Sequence, residues 1–577
     1  MRTDGPVSKT SIGSLIPERP VRVEAARRTP RVAAMIVTWN RGWAADRVLR
    51  SLAGLEFPLS ALDVIVVDNG STDGTAALIE ATWMPDRVVD NATASAERPA
   101  FVPAGRGGDD GAPRAGSADA DGAGSVHPFG SLTLVRNAEN LGGCGGFNTA
   151  LAVADLIDRD GAVWLPRAAA LDYVWFVDDD VEVPPGALSQ LVRTAESDST
   201  IGLVGSRTVD FDDRETTIET TIYFDFERGW MGPEPTATHR LAASHRQWAE
   251  GVGGTRGRLP FEGVREVDVV SACSLLARWS AVSRVGFWDR RFFIYCDDAD
   301  WCLRVARAGY RVVCDLDAVV YHTHWLAKLT PTRGYYASRN LIWMIQKQFA
   351  GMALKRAMLR RLVALLRESR KAASHCRLFH AEIIRRSALD AVLGRGGKLD
   401  DEGPRPTTTL EAMDRAGVLR ADAEVAVMCS HAESIRWADA LRERVSAALV
   451  KLGRAGDGPR WTYVVRSTVE DPPGPEGLAR AARIVFEPNR WSKLRAQWRY
   501  VRRPADAVVV FNQHNDFPML RSRQNLHIDP RRGDQAQLEP DGLAVRARFV
   551  ARWAATLARC VLFAARARRF APQDRYG

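Results

Sequence analysis

The chain has little that would mark a redox protein, a membrane-spanning protein or a nucleic-acid-binding protein. Its 8 cysteines are scattered over 577 residues with no C-x-x-C pair. That argues against a zinc or dithiol motif and reads as reduced core thiols in the cytoplasm. No apolar run follows Met1, and no window reaches the ~18 apolar residues of a spanning helix, so neither a signal peptide nor a transmembrane segment is expected. Basic residues exceed acidic ones by 79 − 70 = 9, without a lysine-rich tract. That mild excess suits an anionic substrate or membrane surface. No RNP-like, helix-turn-helix or zinc signature supports nucleic-acid binding, and none is expected. The glycine-rich turn at 142–146 is not followed by Gly-Lys-Ser/Thr, which excludes a Walker-type phosphate loop.

What is present is an ordinary globular composition, 46% apolar and 26% charged, in a chain long enough for three or four domains. Residues 1–30 read as a polar lead-in. From 31 to 345, apolar runs alternate with helical patterns: strands at 32–38, 63–68, 132–135, 173–178 and 202–206, and helices near 43–55, 73–82, 147–158 and 185–196. This alternation predicts a mostly parallel α/β sheet with ligands at the carboxyl ends of its strands. The Ala/Gly/Asp-dominated stretch 92–128 reads as a disordered insertion. Residues 210–265 look loop-rich, and a strand is expected at 267–272. A basic helical segment with its linker covers 346–400, and a smaller α/β domain covers 401–540, with strands at 425–429, 461–466, 483–486 and 507–511. The tail 541–577 reads as a basic amphipathic helix, with Arg546, Arg548, Arg552 and Arg559 among Trp553, Leu557, Val561, Leu562 and Phe563.

Two acidic clusters carry the chemistry. Tyr173-Val-Trp-Phe-Val ends in Asp178-Asp179-Asp180. Carboxylates at the end of a buried strand need a compensating charge, and a divalent cation bridging to a phosphate supplies one. On an extended backbone Asp178 and Asp180 share a side while Asp179 points away. The competing reading is a solvated acidic turn. Asp297-Asp298-Ala-Asp300 opens a helix behind a strand-like Phe292–Tyr295. Capping explains one of these acids, and a catalytic role for another is the sharper reading. Asp300 and Arg304, four apart, fit a surface pair. His322 and His324 stand two apart at a strand end; with the acids upstream, His322 is a candidate metal ligand. Asp68-Asn-Gly-Ser-Thr-Asp73 fits either a nucleoside contact or a capped turn. Asn140-Leu-Gly-Gly-Cys-Gly-Gly146 fits either a diphosphate approach or a tight turn.

Taken in order, these segments, together with Thr38-Trp-Asn-Arg41, His322-Thr-His-Trp325 and Tyr335-Tyr-Ala-Ser-Arg-Asn340, resemble the inverting family 2 glycosyltransferases of the GT-A fold. The bacterial galactofuranosyltransferase and rhamnosyltransferase branch is the most similar. The resemblance covers residues 31–345. It implies nucleotide-sugar contacts from Thr38, Trp39, Arg41, Asp68, Asn69, Asn140, Gly142, Gly143, Asp178, Asp179 and Arg339, the last near the diphosphate. It also implies a Mn²⁺ or Mg²⁺ ion held by Asp178, Asp180 and His322, and a general base in Asp298, with Asp297 next in line. Ser271-Ala272 stands where some galactofuranosyltransferases carry a Trp pair, and Ala337 where they carry a His, so the acceptor is left open.

The expectation is therefore a GT-A, Rossmann-like catalytic domain followed by a helical segment and a smaller C-terminal α/β domain. It would transfer galactofuranose from UDP-galactofuranose, or rhamnose from dTDP-rhamnose, to a cell-envelope glycan or polyprenyl-linked acceptor. The protein would sit on the inner face of the cell membrane through its C-terminal basic helix, as a possible homo-oligomer. The rival expectation is a non-catalytic glycan-binding or scaffold protein with a relic nucleotide-sugar site.

Overall fold

The computed structural model describes residues 28–92, 101–103, 127–159, 171–323, 330–400, 406–429, 431–454, 456, 458–469, 481–511, 518, 520–529 and 534–570. Most of the lead-in, most of the 92–128 insertion, and His324 fall outside them.

The first unit contains β1 (Val32–Thr38), β2 (Leu62–Asp68), β3 (Arg87–Asn91), β4 (Phe101–Pro103), β5 (Ser131–Asn137), β6 (Tyr173–Asp178), β7 (Ile201–Asp210), β8 (Thr217–Glu219), β9 (Tyr223–Asp225), β10 (Trp230–Gly232), β11 (Val264–Glu266), β12 (Ser274–Arg278) and β13 (Arg311–His322). Eleven of these make one sheet, in the order β11-β13-β7-β12-β6-β1-β2-β5-β3-β4, with β8 beside β7. The stretch β6-β1-β2-β5-β3 is parallel throughout. Both faces of this stretch are covered, as a parallel sheet requires. In β1, Ala33 and Met35 enter one core while Val32, Ala34 and Ile36 enter the other. Thr38, Asp68, Asn137 and Asp178 end neighbouring parallel strands and so meet along one carboxyl edge.

The expected α/β sheet and second, smaller α/β domain are both present. Local expectations need correction at four places. Phe101–Pro103, inside the presumed disordered insertion, pairs with β3. The 210–265 stretch contains β8, β9, β10, β11 and a helix at Ala242–Val252. The strand expected at 267–272 starts later, at Ser274, because Val267–Val270 is a buried connector rather than a ladder strand. Phe292–Tyr295 is no strand: Phe293, Tyr295 and Cys296 have φ of 67°, 68° and 61°, left-handed values that extended pairing cannot accommodate.

Helices Pro331–Gln348, Gly351–Ser374 and Leu378–Leu393 follow the sheet. The second domain is a sheet of β14 (Thr407–Thr408), β15 (Glu424–Cys429), β16 (Arg460–Arg466), β17 (Ala482–Phe486), β18 (Ala505–Phe511), β19 (Ser522–Ile528) and β20 (Gln535–Pro540). Its order is β14-β20-β19-β18-β15-β16-β17, parallel from β19 through β17.

The Leu543–Arg566 helix returns to the helical unit. Phe549, Cys560 and Ala564 are buried, Trp553 Nε1 donates to the Leu366 carbonyl at 2.8 Å, and Arg385 donates to Thr556 at 2.7 Å. Its Trp-bearing side is thus committed to protein, and it is not the free interfacial helix its sequence suggests. No helix among the described residues is long and apolar enough to cross a membrane. All eight cysteines are free and buried.

Candidate active site

The carboxyl edge of the sheet places three acidic and imidazole side chains together. Asp178 ends β6, Asp180 lies in the turn beyond it, and His322 ends β13. His322 Nε2 is 3.1 Å from Asp180 Oδ1 and 3.8 Å from Asp178 Oδ2. One ligand atom from each residue lies within 4.8 Å of the others. Two carboxylate oxygens and one imidazole nitrogen are the donors a Mn²⁺- or Mg²⁺-type cation takes, so the residues fit the expected metal.

Asp179, like Asp180, lies in the turn beyond β6, so strand alternation does not set its direction. It accepts from the Thr38 hydroxyl at 2.9 Å and from Arg41 Nη1 at 3.3 Å, while the same Arg41 nitrogen reaches Asp180 at 3.0 Å. Burial pushes the Asp179 carboxyl up to about 6, against the lowering effect of Arg41. Thr38 and Asp179 are buried and satisfied by each other. The geometry gives them the task of bracing the acidic turn. Arg41 is half-buried and Trp39 exposed beside it.

The Asp68 and Asn140 motifs build one another. Asn69 donates to Asn140 Oδ1 at 3.2 Å and to the Gly142 carbonyl at 2.9 Å, and its own oxygen accepts from Asn137 and from Leu141 N. Asn140 Oδ1 also caps Gly142 N at 2.8 Å. Asp68 is buried, which raises its carboxyl, and it accepts from Ser71 N. Asn69 thus has its polar atoms engaged within the protein, which corrects its expected contact with the nucleoside. Gly142 has φ of 77°, and a Cβ there would come within 2.1 Å of the Phe293 carbonyl oxygen. It is a packing glycine, whereas Gly143 faces open space.

That Gly142–Phe293 contact touches the loop that delivers the second acidic cluster. Three left-handed residues in this loop carry a strain cost, offset by a clamp from the Pro331–Gln348 helix. Asn340 Nδ2 donates to the carbonyls of Phe292, Ile294 and Tyr295, each at 2.8 Å. Arg339, fully buried, donates to the carbonyls of Arg291, Phe292 and Gly397 at 2.9–3.1 Å. The expectation that Arg339 lies near a diphosphate is therefore corrected: its guanidinium is spent on backbone carbonyls inside the protein. Asp300 is also buried, not at the surface. It pairs with Arg304 at 3.1 Å and with Lys347 at 2.7 Å.

The loop ends at the mouth of the Asp297–Arg307 helix. Asp297 is buried, and burial together with the Asp298 charge raises its carboxyl well above the usual range. Asp298 is half-buried. Its oxygens accept from Ala299 N at 2.7 Å and Ala272 N at 3.3 Å, and burial pushes it up to about 6 with Asp178 adding to the rise. Asp298, the more accessible of the two, is the better placed to meet an acceptor.

One acid belongs to none of the sequence motifs. Glu219, at the end of β8, is pushed up to about 7 by burial and by the Asp298 charge, against opposing effects of His322 and Arg256. It therefore stands electrostatically between the base candidate and the metal-ligand candidate. Its neighbourhood in sequence, Thr217-Ile-Glu-Thr, carries no signal; only the pairing of Glu219 with Thr208 on β7 brings it there.

Residues 108–345 match the model of the family described as "Glycosyltransferase like family 2". The chain carries a family 2-like glycosyltransferase domain. Over 110 residues the chain is 31% identical to the rhamnosyltransferase WbbL of Escherichia coli (strain K12), a stretch that is 18% of this chain and 39% of that protein. The chain therefore spans less than half the length of this curated relative. Among solved structures, S. aureus TarS aligns at 13% identity over 63% of this chain and 49% of its own, with a TM-score of 0.34. A mannosyltransferase from Pyrobaculum calidifontis in complex with GDP-Man and Mn²⁺ aligns at 17% identity, over 74% of this chain and 87% of its own, with a TM-score of 0.33. Superpositions this loose carry nothing about the chemistry of this chain.

Proposed function

We propose that the chain is an inverting, divalent-cation-dependent glycosyltransferase that moves a sugar from a nucleoside diphosphate to a hydroxyl of a cell-envelope glycan or lipid-linked acceptor. The observation that carries this reading is the convergence of Asp178, Asp180 and His322, with Asp298 at a helix mouth near enough for the Asp178 charge to raise its carboxyl. The 31% likeness to a rhamnosyltransferase favours dTDP-rhamnose over UDP-galactofuranose as donor.

In this reading Asp178, Asp180 and His322 hold Mn²⁺ or Mg²⁺, which when bound supplies Lewis-acid neutralisation of the leaving diphosphate. Trp39, exposed at the end of β1, offers a face on which a nucleobase can stack. Arg41 stays with the acidic turn, 3.0 Å from Asp180. Asp298 takes the proton of the acceptor hydroxyl as its oxygen attacks the anomeric carbon. The bond from that carbon to the diphosphate oxygen breaks on the opposite face, so configuration inverts in one displacement without a sugar–enzyme intermediate. Glu219, whose carboxyl is raised in part by the Asp298 charge, would hold a sugar hydroxyl.

A thermal-shift screen of dTDP-rhamnose, UDP-galactofuranose and other nucleotide sugars, each with and without Mn²⁺ or Mg²⁺, tests the reading. A ligand that binds only the folded state raises the melting temperature by mass action. The expected result is a cation-dependent shift, largest with dTDP-rhamnose. No shift with any nucleotide sugar overturns the proposal.

A further inference from the structure

The Arg490–Arg502 helix of the second domain sorts its apolar residues into two opposed stripes. Ala496 and Tyr500 are buried in the core that contains Phe486, Val508 and Val510. Trp491, Leu494, Trp498 and Val501, spaced three, four and three apart, share the outward side. They are 81%, 46%, 62% and 42% exposed. The helix needs only its Ala496/Tyr500 side to dock, so this second stripe contributes nothing to holding the domain together. Two outward tryptophans on one short helix mark a surface that something covers.

The charges carried by the helix itself around the stripe are of one sign. Arg490, Lys493, Arg495, Arg499 and Arg502 surround it, Arg503 follows at the C-terminal cap, and the helix contains no acid. Arg499 is engaged with Glu424 at 3.1 Å, and the Arg502 guanidinium lies 5.6 Å from the Trp498 ring centroid.

We propose that this helix docks the molecule on an anionic lipid surface. It lies flat, with Trp491, Leu494, Trp498 and Val501 entering the boundary between headgroups and acyl chains. Tryptophan suits that depth because its ring is apolar and its N–H finds a polar partner there. Arg490, Arg495 and Arg502 extend along the surface toward lipid phosphates, their stems covering apolar area while their guanidinium heads stay with the charge. Charge complementarity selects this occupant: a helix whose own charges are all cationic, around an aromatic stripe, matches a surface of negative phosphates. A second copy of the same helix would instead set arginine against arginine. The inference does not depend on the glycosyltransferase reading.

Co-sedimentation of the full chain with phosphatidylcholine vesicles, with and without phosphatidylglycerol, tests it. The wild-type protein is expected to sediment with the phosphatidylglycerol-containing vesicles and less so at high salt. The double variants Trp491→Ser/Trp498→Ser and Arg495→Glu/Arg502→Glu are each expected to lower that partitioning about tenfold or more. Their far-UV circular dichroism and melting curves should remain those of the wild type, since the four side chains lie outside the core. Wild-type partitioning by both variants overturns the proposal and moves the contact to another surface. A wild-type protein that ignores vesicles but forms a dimer dissolved by Trp491→Ser/Trp498→Ser overturns it in favour of a second copy.

Discussion

Asn340 holds Tyr295 by its backbone carbonyl, at 2.8 Å, in a left-handed conformation two residues before Asp297. The same amide nitrogen serves Phe292 and Ile294. One side chain on the Pro331–Gln348 helix therefore sets the path of the loop that aims the two acids. Asn340→Ala leaves those carbonyls without that donor and is expected to destabilise the fold by about 1–3 kcal/mol. It should also lower kcat more than it weakens donor binding, because the acids lose their aim while the β6 edge stays put. Denaturant melts combined with donor calorimetry and turnover separate the two effects. Unchanged turnover would remove Asn340 from any part in positioning.

Asp298→Asn is expected to keep donor and cation binding and to lower turnover by roughly 10²-fold or more, the scale of a lost general base. Near-wild-type transfer by this variant would hand the role to Asp297.

Removal of divalent cations with a chelator should abolish transfer, and Mn²⁺ or Mg²⁺ should restore it. Asp180→Ala and His322→Ala should each shrink the cation-induced rise in melting temperature. A full cation response in both variants would leave the acidic turn without a metal.

The acidic side of the rate profile should follow Asp298. A base works ionised, and burial places this carboxyl at about 6, so transfer should fall as pH drops through about 6. Glu219, pushed up to about 7 by burial and by the Asp298 charge, is mostly protonated where Asp298 titrates. Glu219→Gln should therefore leave the acidic limb at about 6, and a shift of that limb in the variant would show that Glu219 is charged there.

Lys347 is buried between Asp289 and Asp300, 2.7 Å from each. Lys347→Met leaves two buried carboxylates short of a counter-charge, and breaking a buried pair in this way costs about 3–5 kcal/mol. A drop in denaturation midpoint on that scale is expected. Asp300→Asn in the Lys347→Met background should recover part of it.

The strands of both sheets were legible where burial on two faces produced continuous apolar runs, as in β1, β2, β6, β15 and β18. The acidic turn was legible because three carboxylates end a buried apolar run; the expected alternation did not hold past Asp178, because Asp179 and Asp180 lie beyond β6 and share Arg41. Phe292–Tyr295 misled because aromatic, β-branched residues look like a strand. Its real shape is imposed by Asn340 and Arg339, nearly fifty residues downstream, and by the close approach of Gly142. Asn69 looked like a ligand contact because polar residues at strand ends serve both ligands and the backbone, and composition does not say which; the place of Arg339 near a diphosphate was implied by the family resemblance alone. Glu219 was invisible because its relevance comes from a short antiparallel pairing at the sheet's edge. In the C-terminal helix the arginine pattern was clear, but Trp553 and Phe549 found protein partners that no single-helix pattern announces.

The way β6 runs straight into the 178–180 turn has a consequence for how this site can change over evolutionary time. Single substitutions around it alter strength or preference by degrees. A one-codon insertion or deletion within the six residues of β6 would exchange Val174 and Phe176, which enter one core, with Trp175 and Val177, which enter the other, and carry the acids off the strand end. Length in β6 should thus be the most tightly held property of this part of the gene, and length variation among related chains should collect instead in stretches such as 104–126, between β4 and β5.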